Sequence, residues 1–151
     1  MVHPLRLAGI AAVAVIAVSF ASCSNNKGKI EGKWKVTNAS KNNEFSKMKE
    51  MGITLYFEFK ADGTCGMGLM ADPNQPGAEG MLKIIMADPS YTAQFGNTNG
   101  KYSLGSGDKI TISGFKTPSG VDKTQTNMKI TGDAATMTDP DGTTMSLERV
   151  K

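Results

Sequence analysis

Histidine occurs once in this chain of 151 residues, at His3, and cysteine twice, at Cys23 and Cys65. One imidazole cannot build a His-rich zinc or iron site, and two thiols cannot complete a thiolate zinc site. Gly-x-Gly-x-x-Gly and Walker-type loops are missing as well, so the sequence offers no glycine-rich cradle for a nucleotide phosphate. Neither sign of charge dominates: 17 lysine and arginine residues stand against 14 aspartate and glutamate residues, a net charge of +3. That balance leaves no electrostatic footprint for nucleic acid.

Long apolar runs are lacking with one exception. Residues 7–20 (LAGIAAVAVIAVSF) follow Arg6 and lead into Ala21, Ser22 and Cys23. The run fits the apolar core of a secretion signal and is short for a bilayer span. Phe20-Ala21-Ser22-Cys23 resembles the lipobox of bacterial lipoproteins, with Phe20 where leucine is commonest. The resemblance implies that residues 1–22 are a cleaved lipoprotein signal peptide. Cys23 then becomes the first residue of the mature chain, its thiol carrying a diacylglyceryl group with acyl chains such as palmitate. Small side chains let the peptidase close around the backbone at the cut, and a thiol is the side chain best suited to alkylation. The rival reading is an ordinary secretory peptide with an incidental cysteine.

Loss of the leader removes the histidine, and with it Ser-His-Asp and Cys-His catalysis. It also leaves Cys65 without an intramolecular disulfide partner, so Cys65 is expected to be a small buried apolar group. Carboxylate chemistry remains open to an enzyme, but the acids fall mostly in turns. The expectation is a protein that is not an enzyme, with no catalytic residues, no metal and no cofactor. Methionine pairs such as Met67 and Met70, or Met81 and Met86, are too sparse to argue for a Cu(I) site.

Removing 22 residues from 151 leaves 129, enough for one domain with a real core. Residues 23–29 read as a short polar tether; the six from Ser24 to Lys29 reach roughly 20 Å when extended. Lys27, Lys29, Lys33, Lys35, Lys41, Lys47 and Lys49 crowd this first part of the mature chain against Glu31, Glu44 and Glu50. Such a cluster either leans on anionic headgroups or is a solvated face.

From Ile30 the pattern changes to the period-2 alternation of strands with one buried face. Ile30, Gly32, Trp34 and Val36 alternate with polar residues, and so do Ile53, Leu55, Phe57 and Phe59. Ala61-Asp62-Gly63 turns the chain into Cys65, Met67 and Leu69, a hairpin pattern. Tyr102 and Leu104, Ile110 and Ile112, Met128 and Ile130, Ala135 and Met137, and Met145, Leu147 and Arg149 repeat the alternation across further Gly/Asp turns. Asp139-Pro140-Asp141-Gly142 lacks the remaining ligands of a calcium loop and reads as a proline-initiated turn. Residues 43–51 fit a short helix capped by Asn43, with Phe45, Met48 and Met51 able to close a barrel mouth. The apolar run at residues 81–86 inside a Pro/Gly-bounded insertion fits a helix slightly better than a strand. Short strands joined by tight turns, without crossover helices, predict an all-β fold: an antiparallel up-and-down β-barrel of about eight strands with one or two short helices.

Gly32-Lys33-Trp34, the hairpin through Phe57-Glu58-Phe59-Lys60-Ala61-Asp62-Gly63-Thr64, Gly100-Lys101-Tyr102, Gly107-Asp108-Lys109-Ile110-Thr111-Ile112 and an arginine near the end together resemble the lipocalin-like domains of bacterial lipoproteins. The resemblance covers residues 30–151. It implies that the Gly-x-Trp strand opens the barrel and that a basic residue of the last strand, Arg149, packs over Trp34. The insertion at residues 73–90 departs from the simplest pattern and puts the fourth strand in doubt.

An eight-stranded barrel holds either its own side chains or one small ligand. The leading expectation is an envelope protein, anchored to a membrane by its lipid, that binds a small apolar or amphipathic ligand. Its pocket would be lined by Phe57, Phe59, Met67, Leu69, Tyr102, Ile112, Met128, Met137 and Met145. The alternative is a filled barrel that meets an envelope protein partner through its outer surface, as an accessory or inhibitor module. Ser24, Asn25 and Asn26 lack the acidic cluster linked to surface export, which favours the outer membrane facing the periplasm.

Overall fold

The computed structural model describes residues 23–41, 43–96, 99–115 and 123–151; the leader lies outside the described residues. Wherever apolar side chains alternate with polar ones, a strand forms. The strands are β1 (Gly32–Ala39), β2 (Ile53–Phe59), β3 (Thr64–Ala71), β4 (Gly100–Leu104), β5 (Lys109–Ser113), β6 (Lys123–Thr131), β7 (Ala134–Thr138) and β8 (Thr144–Arg149). Each is antiparallel to the next, and β8 returns to β1, so the sheet is a closed eight-stranded barrel. The fourth strand is thus present, paired with β3 only at Thr64↔Lys101 and Cys65↔Gly100.

Three short helices interrupt the meander: α1 (Asn43–Glu50), α2 (Ala78–Ala87) and α3 (Pro89–Phe95). The insertion after β3 holds two of them, one more than the sequence pattern reveals. Pro89 explains the break. It has no N–H to continue α2, and it suits the first turn of α3, where the Asp88 carboxylate accepts from the Ser90 N–H at 2.9 Å. Asn43 lies within α1 as its first residue.

Asp-x-Thr turns recur at the hairpins. Asp62 Oδ1 accepts from the Thr64 N–H at 2.9 Å and its hydroxyl at 2.6 Å. Asp141 holds Thr143 in the same way after Pro140. These bonds to the ionised form hold both carboxyls below the usual aspartate range.

The barrel has two unlike ends. One carries the β2–β3, β4–β5 and β6–β7 turns together with the start of β1 and the end of β8; it is the turn end. The other carries α1, the α2–α3 excursion and the β7–β8 turn; it is the helical end. The seven lysines that crowd the early sequence are therefore not one cluster: Lys27 and Lys29 lie at the turn end, Lys41, Lys47 and Lys49 at the helical end, separated by the length of β1. An eight-residue strand spans roughly 25 Å.

The inward faces form a single core of Ile30, Trp34, Val36, Phe45, Phe57, Phe59, Cys65, Ile110, Ile112, Met128, Ala135, Met137 and Leu147. Trp34 and Met128 are 0% exposed. Cys65 faces Phe59 across the first hairpin, and burial pushes its thiol up to about 11. At neutral pH almost no thiolate is present to react. Cys65 in the folded protein is therefore expected to resist thiol reagents and to label fully in denaturant. Rapid labelling before unfolding, followed by mass spectrometry, would place the residue outside the core.

Candidate functional site

The turn end is organised by one cation. Trp34 and Arg149 are direct partners in the β1–β8 ladder, and the guanidinium carbon lies 4.2 Å from the indole centroid. The guanidinium then reaches past the ring to the chain entering β1: Nη1 donates to the Glu31 carbonyl, and Nη2 to the Lys29 carbonyl at 2.7 Å. Asp133 on the β6–β7 turn stands 3.5 Å from Nε, and its carbonyl accepts from the Arg149 backbone N–H at 2.8 Å. The charge is half-buried and tolerated because the ring, two carbonyls and the Asp133 carboxylate meet it while its remaining N–H groups can reach water.

Gly32 is explained by the same contact. Its φ is +119°, and a Cβ there would stand 2.7 Å from Arg149 Nη1. Any side chain at this position collides with the cation and strains the backbone. The Gly-x-Trp pattern is thus the footprint of an arginine more than a hundred residues away in sequence.

The Trp34 indole N–H donates to the Ile30 carbonyl at 2.8 Å and fixes the approach to β1 from the other side. Upstream, residues 24–30 are folded against the barrel. This corrects the reading of residues 23–29 as an extended tether. The Gly107 N–H donates to the Cys23 carbonyl at 3.2 Å, and the Asn25 N–H to the Gly107 carbonyl at 2.8 Å, a short parallel bridge onto the β4–β5 turn. Asn26 is 1% exposed; its amide nitrogen donates to the Met128 carbonyl at 2.8 Å and the Asp108 carbonyl at 3.3 Å. Its Oδ1 has no hydrogen-bond partner among the described residues. Burying that oxygen costs stability, so the two bonds of the amide nitrogen and the plug formed with Ile30 must outweigh it. Sequence reasoning missed Asn26 because a lone asparagine in a run of polar residues carries no periodic signal.

At the helical end Phe45 of α1 is buried in the core and Met48 packs beside it, while Met51 turns outward. Of the proposed pocket residues, Phe57, Phe59, Ile112, Met128 and Met137 are buried in the common core, and Met67, Tyr102 and Met145 pack partly buried against it. They touch one another: Phe59 meets Tyr102 edge-on at 5.2 Å, and Met128 pairs with Met137. Leu69 is buried outside this group.

On the outer wall β1 bulges between Val36 and Asn38 and parts from β2 beyond Lys35↔Tyr56. The Thr54 hydroxyl and the Lys49 ammonium supply donors to the Val36 and Thr37 carbonyls there, at 2.6 and 2.8 Å. The cleft so formed has a volume of about 640 Å³; Val36 and Ile53 contribute to its floor, and Lys35, Lys49 and Lys151 to its rim. Among the described residues no group of three or more His, Cys, Asp or Glu side chains is placed to hold a metal ion.

Arg149→Ala removes a cation–π contact and two charge-assisted bonds and is expected to cost roughly 2–4 kcal/mol with a shift in Trp34 fluorescence. Lys151→Ala, which loses only an exposed pair with Asp133, should change neither. Asn26→Ala should cost roughly 1–3 kcal/mol. Equal denaturant midpoints for Arg149→Ala and wild type would refute the closure. Comparison with family models, curated proteins and solved structures finds no match to this chain.

Proposed function

We propose that this is a lipoprotein of the bacterial envelope, acylated at Cys23, whose lipocalin-like barrel is a filled scaffold that engages another envelope protein through its outer surface. The observation that supports this best is the occupied interior. Both mouths are plugged by the chain itself, Ile30 and Asn26 at the turn end and Phe45 at the helical end, and the large side chains between them pack on one another. A barrel of eight strands has room for side chains or for a ligand, not both.

The partner surface fits the helical excursion. Along α2, Ala78, Leu82, Ile85 and Met86 turn toward the protein, while Met81 and Ile84 point away; Ile84 is 68% exposed. Exposed Tyr91 of α3, stacked on Phe95, extends the apolar patch. Soluble surfaces seldom keep such side chains together without a partner. The patch belongs to an excursion that leaves β3 at the helical end and packs along its side before rejoining the sheet at Gly100. Placement on the periplasmic side of the outer membrane accords with the polar, uncharged Ser24, Asn25 and Asn26.

A second reading rests on the outer cleft. Its volume lies within the range of small-molecule sites, and an apolar floor under a rim of lysines and the carboxylates Asp72 and Glu148 suits a small amphipathic molecule.

Two measurements test these assignments. Cys23→Ser should yield an uncleaved precursor that keeps its leader and carries no acyl chains, read by its mass alongside partitioning into the detergent phase. The normal anchor gains about 0.8 kcal/mol per buried methylene over at least two chains, so wild type should remain there. Equal partitioning at the same mature mass would refute the lipoprotein assignment. Native mass spectrometry of protein from its own host should show a protein partner that is lost on Ile84→Glu. A stoichiometric small molecule retained in that variant would favour the cleft.

A further inference from the structure

We propose that the turn end of the barrel is a membrane-contact face, held flat against an anionic phospholipid surface, so that the barrel stands upright on its membrane. The inference rests on the reading of Cys23 as the acylated residue and adds what the fold does with that anchor. A lipoprotein with a free polar tether samples many orientations. Here the tether is used up. The Cys23 carbonyl is bound by the Gly107 N–H, Asn25 is bound to Gly107 and Asp108, and Asn26 is buried between Asp108 and Met128. The Lys29 and Glu31 carbonyls are then clamped by Arg149. No slack remains between the acylated residue and the β4–β5 turn, so the acyl chains must leave the protein at that turn.

The charges around this exit match a membrane. Lys27 and Lys29 on the folded segment, Lys60 on the β2–β3 turn and Lys109 at the start of β5 are all exposed there. Glu31, Asp62 and Asp108 share the end, Asp108 bound by the Asn25 amide, and Asp133 is engaged by Arg149 and Lys151. The helical end exposes Glu44, Glu50, Asp72, Glu79, Asp88 and Asp141 against Lys41, Lys47, Lys49 and Lys83. With Arg149 and Lys151 included, the turn end keeps a small excess of cations and the helical end a small excess of carboxylates, so a negatively charged surface within a Debye length biases the barrel toward its turn end.

Lysine footprinting tests this without altering the fold. The full chain is produced in a bacterial host, reconstituted into phosphatidylcholine vesicles with and without phosphatidylglycerol, and treated with a membrane-impermeant amine reagent before peptide mass spectrometry. On anionic vesicles Lys27, Lys29, Lys60 and Lys109 should lose reactivity several-fold relative to detergent-solubilised protein, while Lys41, Lys47 and Lys83 keep theirs. Uniform loss at both ends, or loss centred on the helical end, would overturn the pose. Equal protection on neutral vesicles would remove the electrostatic part of the proposal. The mass of the N-terminal peptide reports acylation separately. Should Cys23 prove unmodified, coupling it to a maleimide lipid, with Cys65 buried and unreactive, still reads the orientation.

Discussion

The contact of the Arg149 guanidinium with Trp34 and with the carbonyls of Lys29 and Glu31 is the constraint on which the rest of the structure depends. It ties the last strand to the first, which closes the barrel. It sits beside Gly32, whose φ of +119° favours glycine and whose missing side chain leaves room for the cation. By gripping two consecutive stretches of the incoming chain, it also lays residues 24–30 across the turn end. A neutral residue of similar size would fill the space without recruiting those carbonyls, and a lysine lacks the planar fork that reaches two of them at once.

Closure at one end and Phe45 at the other leave the interior to the protein's own side chains. The methionines then act as flexible filler, with Met128 and Met137 paired across adjacent strands in a core that also holds Trp34 and Phe59. With the interior occupied, what the surface offers becomes the functional question. Two surface features stand out: turns of mixed charge beside Cys23, and an apolar helix face carried on the flank of β3.

The strand architecture was legible because a half-buried strand repeats every two residues, and inward parity at Trp34, Cys65, Met128 and Leu147 follows from that repeat alone. Arg149 was legible for the same reason: a cation on an inward position calls for a partner, and a closed barrel places Trp34 beside it. The rest depended on information that the pattern does not carry. Asn26 is polar, so its burial is set by the carbonyls of Asp108 and Met128, both distant in sequence. The run at residues 81–86 has an outward face as apolar as its inward one, so no amphipathic signal locates it, and the second helix depends on the Asp88-Pro89 junction. The seven early lysines looked like one cluster because linear proximity hides a strand that carries the chain from one end of the barrel to the other.

The central claim is that the segment joining Cys23 to the barrel is folded structure. Native-state amide hydrogen exchange at Asn25, Lys29 and Ile30 tests it most directly. Their N–H groups donate within the plug and to Gly107, and should exchange as slowly as those of Arg149 and Val150, opening only with the end of the barrel. Exchange at the rate of an unstructured peptide, with the strands still protected, would contradict the account.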